Sequence, residues 1–390
     1  MNDRATDDDV HWIRWMLSVS LLPNSLDTDT TVARAVNQYR EHEATLKLPR
    51  GVAGMSDHGV GFASELLIRG NPTDLGPLVP RRYVEVIAGS TDPIVTKGSG
   101  RRELAELISS PHNPLAARVM VNRIWHHVFG TGIVRTTDDF GHLGEQPSHP
   151  ELLDYLADRF MKEGWSIKTL LRHIVSSETF KQSSLPNSAA KQRDPNNRLL
   201  HHYPVRRLDA EAVRDTILAV SGRLDATLFG PSIHPYRKEP KEHRKLYAGS
   251  LDGDGRRSVY LKVTRMEGSK FLELFDLPNP METRGSRDRT NVPAQALALL
   301  NDPFLVDQAR FWGKALVHRP AESLGERIDD MFLKALSRLP TKEQRDRMVS
   351  FVERLAELHS VPPAEVTRSQ EIWQDMAHAM FNLKELIYVR

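Results

Sequence analysis

Asp139, His142, Glu145 and His149 fall within one turn-rich segment, Thr136 to His149. Carboxylates and imidazoles this close in sequence can act as an acid/base pair or bind a divalent cation. Their spacing matches no ligand motif such as H-E-x-x-H, so no metal is expected here. Glu145 could equally cap a backbone, and His149 stands inside a helix cap. Just upstream, Arg118, Asn122 and His126 recur at i, i+4 and i+8, with Arg123 and His127 beside them. At about 100° per residue these five share one half of a helix whose other half carries Ala117, Met120, Val121, Ile124, Trp125 and Val128. They form either a polar wall over a pocket for an anion or sugar, or a buried network that ties the helix to its following loop. Arg206 and Arg207 enter a later helix side by side and could clamp a carboxylate, sulfate or phosphate. The alternative is a buried Arg–Asp pair, with Asp215 about two helical turns beyond Arg207. Arg284, Arg287, Asp288 and Arg289 read as an anion-binding loop at a helix start or as a solvated charged loop. Tyr260 and Trp312 are sugar platforms or core residues.

The elements that must position these groups are mostly helices. Asn113-Pro114 reads as a helix start, with the helix over 115–129 stopped by Gly130. Ser148-His149-Pro150-Glu151 reads as a capping box opening 152–162, with Gly164 as its stop. Ser166 opens the next helix, and 208–224 is amphipathic. Further helices are expected from 291 to 300, from 302 to about 317, and over 324–336, 342–358 and about 371–386. Thr341 with Gln344 supplies a capping box for the helix at 342. The best strand candidate is Arg257 to Val263, with shorter ones at Glu65–Ile68 and Tyr83–Ile87. Residues 185–204 and 230–257 read as connecting loops. Near the start, Trp12, Ile13, Trp15, Met16 and Val19 fall at helical spacing, and Val32 to Leu48 reads as a solvated helix.

Composition removes several function classes. With 53 Lys+Arg against 51 Asp+Glu, the net charge of +2 gives no global pull on nucleic acid or anionic membranes. A mean hydropathy of −0.45, with no run of about 18 apolar residues, excludes a transmembrane helix reading. The chain has no cysteine, which removes disulfides, thiolate catalysis and covalent haem attachment. No G-x-S-x-G, Walker loop or G-x-G-x-x-G stands in the required context, so serine hydrolase, nucleotide hydrolase and dinucleotide oxidoreductase readings lack support. No cofactor can be named from these residues. Met1 to Val10 is polar and acidic, without the segments of a secretory signal, so the start reads as cytoplasmic or as the back part of a longer exported product.

The run Asn113-Pro114-Leu115-Ala116-Ala117-Arg118-Val119-Met120-Val121-Asn122-Arg123-Ile124-Trp125-His126-His127, followed by Phe129-Gly130, resembles the signature of a planctomycete cytochrome-c-associated C-terminal domain, the domain of unknown function family 1553. The likeness continues through Thr137-Asp138-Asp139-Phe140-Gly141, Gly144-Glu145-Gln146-Pro147-Ser148-His149-Pro150-Glu151, Arg206-Arg207-Leu208-Asp209-Ala210-Glu211 and Val292-Pro293-Ala294-Gln295-Ala296-Leu297. Upstream, Ile68-Arg69-Gly70-Asn71-Pro72 and Val79-Pro80-Arg81-Arg82 are also similar. The resemblance implies the rear part of an exported protein, with a c-type cytochrome domain in front and sulfatase-like proteins as neighbours. It therefore implies an extracytoplasmic setting, in the periplasm or at the cell surface. It supplies no catalytic residue.

The expected fold is mainly α, a multi-helical orthogonal bundle with a few short β-strands and long loops. Residues 1–50 are expected as a helical remnant or linker, 51–100 as an extended wrap with short strands, and 101–390 as the main domain. The leading expectation for function is a binding or assembly module of a cell-envelope complex that handles an acidic, possibly sulfated, glycan or passes electrons to a cytochrome partner. Its pocket would gather Arg118, Asn122, His127, His142, His149, Arg206 and Arg207. The alternative is a hydrolase of such a glycan, with Asp139 or Glu145 and His126 as acid and base. In a third reading the arginines meet the propionates of a partner's haem.

Overall fold

The computed structural model describes Trp12, Trp15, Met16, Arg34, Asn37, Gln38, Glu41, His42 and Thr45, together with residues 54–57, 61–94, 98–239, 246–264, 267–319 and 323–389. The chain divides into two units, Met1–Ser56 and Asp57–Arg390. In the first, each described residue up to Thr45 is helical, and all but Met16 are exposed. The Trp12 and Trp15 rings meet edge to face at 5.7 Å, as residues three apart on a helix do. Ile13, Val19 and much of 32–48 lie outside the described residues.

The second unit is mainly α. It opens with a hairpin, β1 (Ser64–Leu67) against β2 (Leu75–Val79), antiparallel with Ser64 opposite Val79. Then come α1 (Glu85–Ala88), α2 (Arg101–Ile108), α3 (Ala116–Phe129), α4 (Pro150–Lys162), α5 (Ile167–Val175) and α6 (Ser188–Arg193). After a two-residue strand, β3 (Arg206–Arg207), follow α7 (Ala210–Ser221), α8 (Lys270–Leu274), α9 (Pro293–Asn301), α10 (Pro303–His318), α11 (Leu324–Leu336), α12 (Lys342–Leu358) and α13 (Gln370–Phe381). The chain returns through β4 (Tyr388–Val389), which pairs antiparallel with β3.

Two apolar cores hold this unit. Val121, Phe129, Leu156, Phe160, Leu170 and Ile174 bring α3, α4 and α5 together. The larger core runs from α7 through α13 and includes Ile217, Trp312, Phe332, Trp373 and Phe381. Within it α10 and α13 pack closely because Gly313 has no side chain. A Cβ there would sit 2.6 Å from the Gln374 nitrogen. Trp312 is thus core, 1% exposed, and no sugar platform.

Local chemistry explains most boundaries. The Thr341 hydroxyl accepts from the Gln344 N–H at 3.2 Å, and the Gln344 side chain accepts from the Thr341 N–H at 3.0 Å, completing the expected capping box. Ser166 caps α5. Other expectations are corrected. Asn113 does not cap α3. Its carboxamide oxygen accepts from Leu115 N at 3.0 Å while its NH₂ holds the Tyr83 hydroxyl and the Ile108 carbonyl. Ser148 forms no capping box: its hydroxyl goes to the Ile133 carbonyl and to His149 Nδ1. Residues 83–87 are not a strand but lead into α1, and α6 stands within the expected loop at 185–204. Residues 257–263 form no strand either. Ser258–Tyr260 is a 3-10 turn, pinned where Asp215 accepts from both the backbone N–H and the hydroxyl of Ser258 at 2.7 Å. The alternation that suggested a strand does not track burial, since Val259 and Val263 are both exposed.

Candidate functional site

The C-terminal half of α3 meets β3 and the loop before α9 along a seam between the two cores. Side chains alternate along a strand, so neighbouring Arg206 and Arg207 leave β3 in different directions. Arg206 donates to the His127 carbonyl, one of the acceptors that the end of α3 leaves without a helical partner. Gly130, at φ 81°, ends that helix, and its missing side chain leaves room for Arg289. A Cβ there would lie 3.1 Å from the Arg289 guanidinium. Arg289 stands 3.8 Å from the Asp209 carboxylate, and Arg287 grips Glu211 with both terminal nitrogens. Arg123 approaches Asp138 at 3.8 Å. The expected anion loop at 284–289 is thus largely matched by carboxylates, with Arg284 held by Glu282 and Asp288.

The other predicted residues separate. Asn122 is fully buried, and its carboxamide binds both backbone groups of Val134. Arg207 is buried against the Thr290 and Phe275 carbonyls and Asp276, so its partner is Asp276 and not Asp215. Asp139 accepts from the Gly141 N–H at 2.8 Å and shapes its own loop. Arg118 pairs with Asp154 at 2.7 Å on α4. His142 and Glu145 are exposed. His149 lines a cavity of about 70 Å³ between the start of α4 and the loop after α6. His126, His127 and Arg206 come together on the seam; the remaining predicted groups do not join them in one hollow. Among the described residues no group of three or more His, Asp or Glu could hold a metal ion.

His126 is the chemically unusual member of the seam. Its Nδ1 is buried without a hydrogen-bond partner among the described residues. Burial above all holds its imidazole below the ordinary value of 6.5; His127, Arg289 and Arg206 add to this, and Asp209 opposes it. The folded protein therefore resists a proton that the unfolded chain accepts near pH 6.5. Stability is full above that pH and falls as pH drops below it. Burial shifts His202 and His234 in the same direction. Unfolding midpoints in denaturant between pH 7 and pH 5 should fall steadily, and H126Q should flatten part of that slope. An unchanged slope would mean that His126 takes up protons alike in both states.

The sequence reading missed a hollow of about 410 Å³ at the start of α10. Phe271 and Phe304, in edge contact at 5.5 Å, together with Leu251 and Leu261 supply its apolar lining. Tyr236, Lys238 and Lys270 line it from exposed positions. Arg214 and Arg237 stiffen its wall. Arg214 binds the Asp252 and Arg256 carbonyls and the Ser258 hydroxyl, and Arg237 binds the Tyr247 and Glu267 carbonyls and Thr264. Asp302 caps α10 through Phe304 N and lines the same hollow; burial pushes its carboxyl above the ordinary value despite that bond. Two single-residue bridges, Ile233 to Leu261 and Tyr236 to Gly249, bring the loop strands together. Gly249 is required there, because a Cβ would overlap the His234 carbonyl. Tyr260 is no sugar platform: its hydroxyl accepts from Phe229 N and its ring lies 4.1 Å from the Arg256 guanidinium.

These helices, their seam and the loop-built hollow define a multi-helical domain whose class can now be placed. A family model described as PSD1, protein of unknown function (DUF1553), matches residues 100–352, more than half of the chain, and the chain belongs to that family. The similar blocks at 68–72 and 79–82 lie outside the matched stretch. No curated protein and no solved structure matches the chain. No helix among the described residues is long and apolar enough to cross a membrane.

Proposed function

We propose that this chain is a binding and assembly module that takes an acidic glycan, sulfated or uronic, in the hollow beside the start of α10. The observation that carries the reading is the composition of that hollow. A half-exposed Tyr236 ring and two exposed lysines, Lys238 and Lys270, stand over buried phenylalanines, with Glu239 and Glu267 also on the lining. Sugar rings stack on aromatic faces, and flexible ammonium groups meet sulfate or carboxylate oxygens without needing a fixed fork. Pockets of this size, mostly apolar with a few convergent polar groups, are the usual form of small-ligand sites. The proposed setting is extracytoplasmic, in a cell-envelope complex with a c-type cytochrome partner and sulfatase-like proteins. It follows from the family resemblance alone.

The test is a glycan array followed by titration of the hits. The variant Y236A/K238A/K270A should weaken binding by at least about tenfold, as expected when a stacking ring and two charge-assisted contacts are lost. All three side chains are exposed, so its unfolding midpoint should stay near wild type. Undiminished binding by this variant would sink the assignment to this hollow. A second reading, hydrolysis of the same glycan class, is favoured by Asp302, whose carboxyl keeps its proton to higher pH than usual and could act as general acid. It differs from the sequence expectation, because the Asp139 carboxylate is committed to its own loop and Glu145 stands in solvent. Release of reducing ends that D302N abolishes would establish hydrolysis in place of simple binding.

A further inference from the structure

We infer that the cavity of about 70 Å³ between the start of α4 and the loop after α6 is a binding site for a tetrahedral oxyanion, a sulfate or phosphate group, free or esterified. Its polar lining residues are Arg135, Arg198, Thr131, Ser148, His149, Asn196 and Asn197, of which the two arginines and the hydroxyl of Thr131 are the natural anion donors. No carboxylate lines it among the described residues. Buried Trp125 and Phe129 also line it. Two arginines in a lining that holds no carboxylate are the complement of an anion.

Arg207, Arg214 and Arg237 spend their donors on carbonyls or carboxylates. Arg135 and Arg198 line one small space, and neither guanidinium makes a hydrogen bond or ion pair among the described residues. Asp194, which acts on Arg198 electrostatically, is held by the backbone N–H groups of Arg198 and Leu199 at 2.9 and 2.8 Å. The Ser148 hydroxyl donates to the Ile133 carbonyl at 3.3 Å and lies 2.9 Å from His149 Nδ1, which fixes the imidazole ring at the cavity wall. One buried acceptor in the lining, Asn197 Oδ1, is unpaired among the described residues, while the NH₂ of the same side chain holds the His202 carbonyl at 2.9 Å. An ester oxyanion next to a hydroxyl would satisfy both kinds of group, its oxygens taking the arginine donors and its hydroxyl donating to Asn197.

The cavity opens to solvent beside exposed Arg135 and Arg198, so it can take an oxyanion either free or borne on a larger molecule. The site is separate from the hollow at Tyr236 and does not depend on it.

The experiment is calorimetric and thermal-shift titration of the whole chain with sodium sulfate, sodium phosphate, a monosaccharide sulfate and a monosaccharide phosphate. Sodium chloride at matched ionic strength is the control. Saturable binding to at least one of the four is expected. R135A/R198A should weaken it by at least about tenfold per guanidinium removed. Both side chains are exposed, so the variant should fold, and its circular dichroism and unfolding midpoint in chloride verify this. Tighter binding of the esters would identify a ligand-borne group, and tighter binding of the inorganic ions a free one. Y236A/K238A/K270A should keep the full response, which separates this site from the hollow. A response no larger than that to chloride, or one undiminished in folded R135A/R198A, overturns the inference.

Discussion

Replacing Arg207 by alanine should cost about 3–5 kcal/mol of stability, the usual penalty for removing one partner of a buried ion pair. The guanidinium lies in the core beside Asp276 and donates to the Thr290 carbonyl at 2.7 Å and the Phe275 carbonyl at 3.1 Å. Asp276 also accepts from the N–H and hydroxyl of Thr290, each at 2.8 Å. Burial pulls the Asp276 carboxyl up, but Arg207 and these Thr290 bonds together outweigh it and hold the group below its ordinary value of 3.8. The pair therefore contributes stability above pH 3.8 that is lost as pH falls through the lower folded-state value. In R207A the carboxylate loses the one cation bonded to it among the described residues, so the penalty should be largest near neutrality and shrink as acid protonates Asp276. Unfolding midpoints in denaturant, measured across that range for both proteins, read this out. R206A is the control. One residue earlier, its guanidinium serves a single helix-end carbonyl, and its loss should cost about 1 kcal/mol. Equal losses for R206A and R207A would refute the division of labour between these neighbours, and binding loss without instability in R207A would restore the anion clamp.

How much of this was legible follows from the range over which each signal acts. Capping and apolar periodicity are local, so α11 and α12 fall at their expected bounds and the Thr341 box forms as written. The amphipathic pattern around α7 is equally local, and only its ends differ, Ala210–Ser221 against 208–224. Residues 257–263 fail because alternation indicates a strand only if a partner strand exists. Here the one bridge is at Leu261, and Asp215 on α7 curls the segment into a turn. The residue types at the seam could be read, since paired arginines and a histidine stripe suggest a charged junction. Their partners could not. Asp276 lies 69 residues from Arg207, and nothing in the sequence favours it over Asp215.

The hollow was illegible for a similar reason. Its walls come from 214, 235–239, 250–253, 261, 267–271 and 302–304, and two single-residue bridges hold its loops together. Such bridges leave no period in the sequence. A glycine needed where two backbones touch, as at Gly249, looks like any loop glycine. Asp302 carried a signal, as the cap before Pro303, but that signal speaks of a helix start and not of a cavity beside it.

Asn122 tests which meaning the polar stripe on α3 has. The stripe passes from half-buried Arg118 through fully buried Asn122 to half-buried His126. Equal spacing along a helix therefore does not mean equal environment. Asn122 Nδ2 donates to the Val134 carbonyl at 2.9 Å, and its Oδ1 accepts from Val134 N at 2.8 Å. Gly132 passes so close that a Cβ there would sit 2.8 Å from the amide. N122A strands a buried N–H and a buried C=O at once. At about 1–3 kcal/mol for each unsatisfied group, the loss should be roughly 2–5 kcal/mol. N122D keeps the acceptor but sets a carboxylate oxygen against the Val134 carbonyl, so it should be no better tolerated. R118A, four residues earlier on the same stripe, breaks a partly exposed pair with Asp154 and a bond to the Pro114 carbonyl, and should cost about 1 kcal/mol. Hydrogen exchange at the Val134 amide localises the effect: protection in the wild type should fall sharply in N122A while amides in α13 keep theirs. A stable N122A with a protected Val134 amide would mean that this side chain serves a ligand and not the loop. The Asn122 carboxamide pins the start of the loop from 131 to 149 to α3 at Val134. It carries Thr131, Arg135 and His149 into the small oxyanion cavity, so N122A should also weaken sulfate binding there without touching any group that contacts the anion.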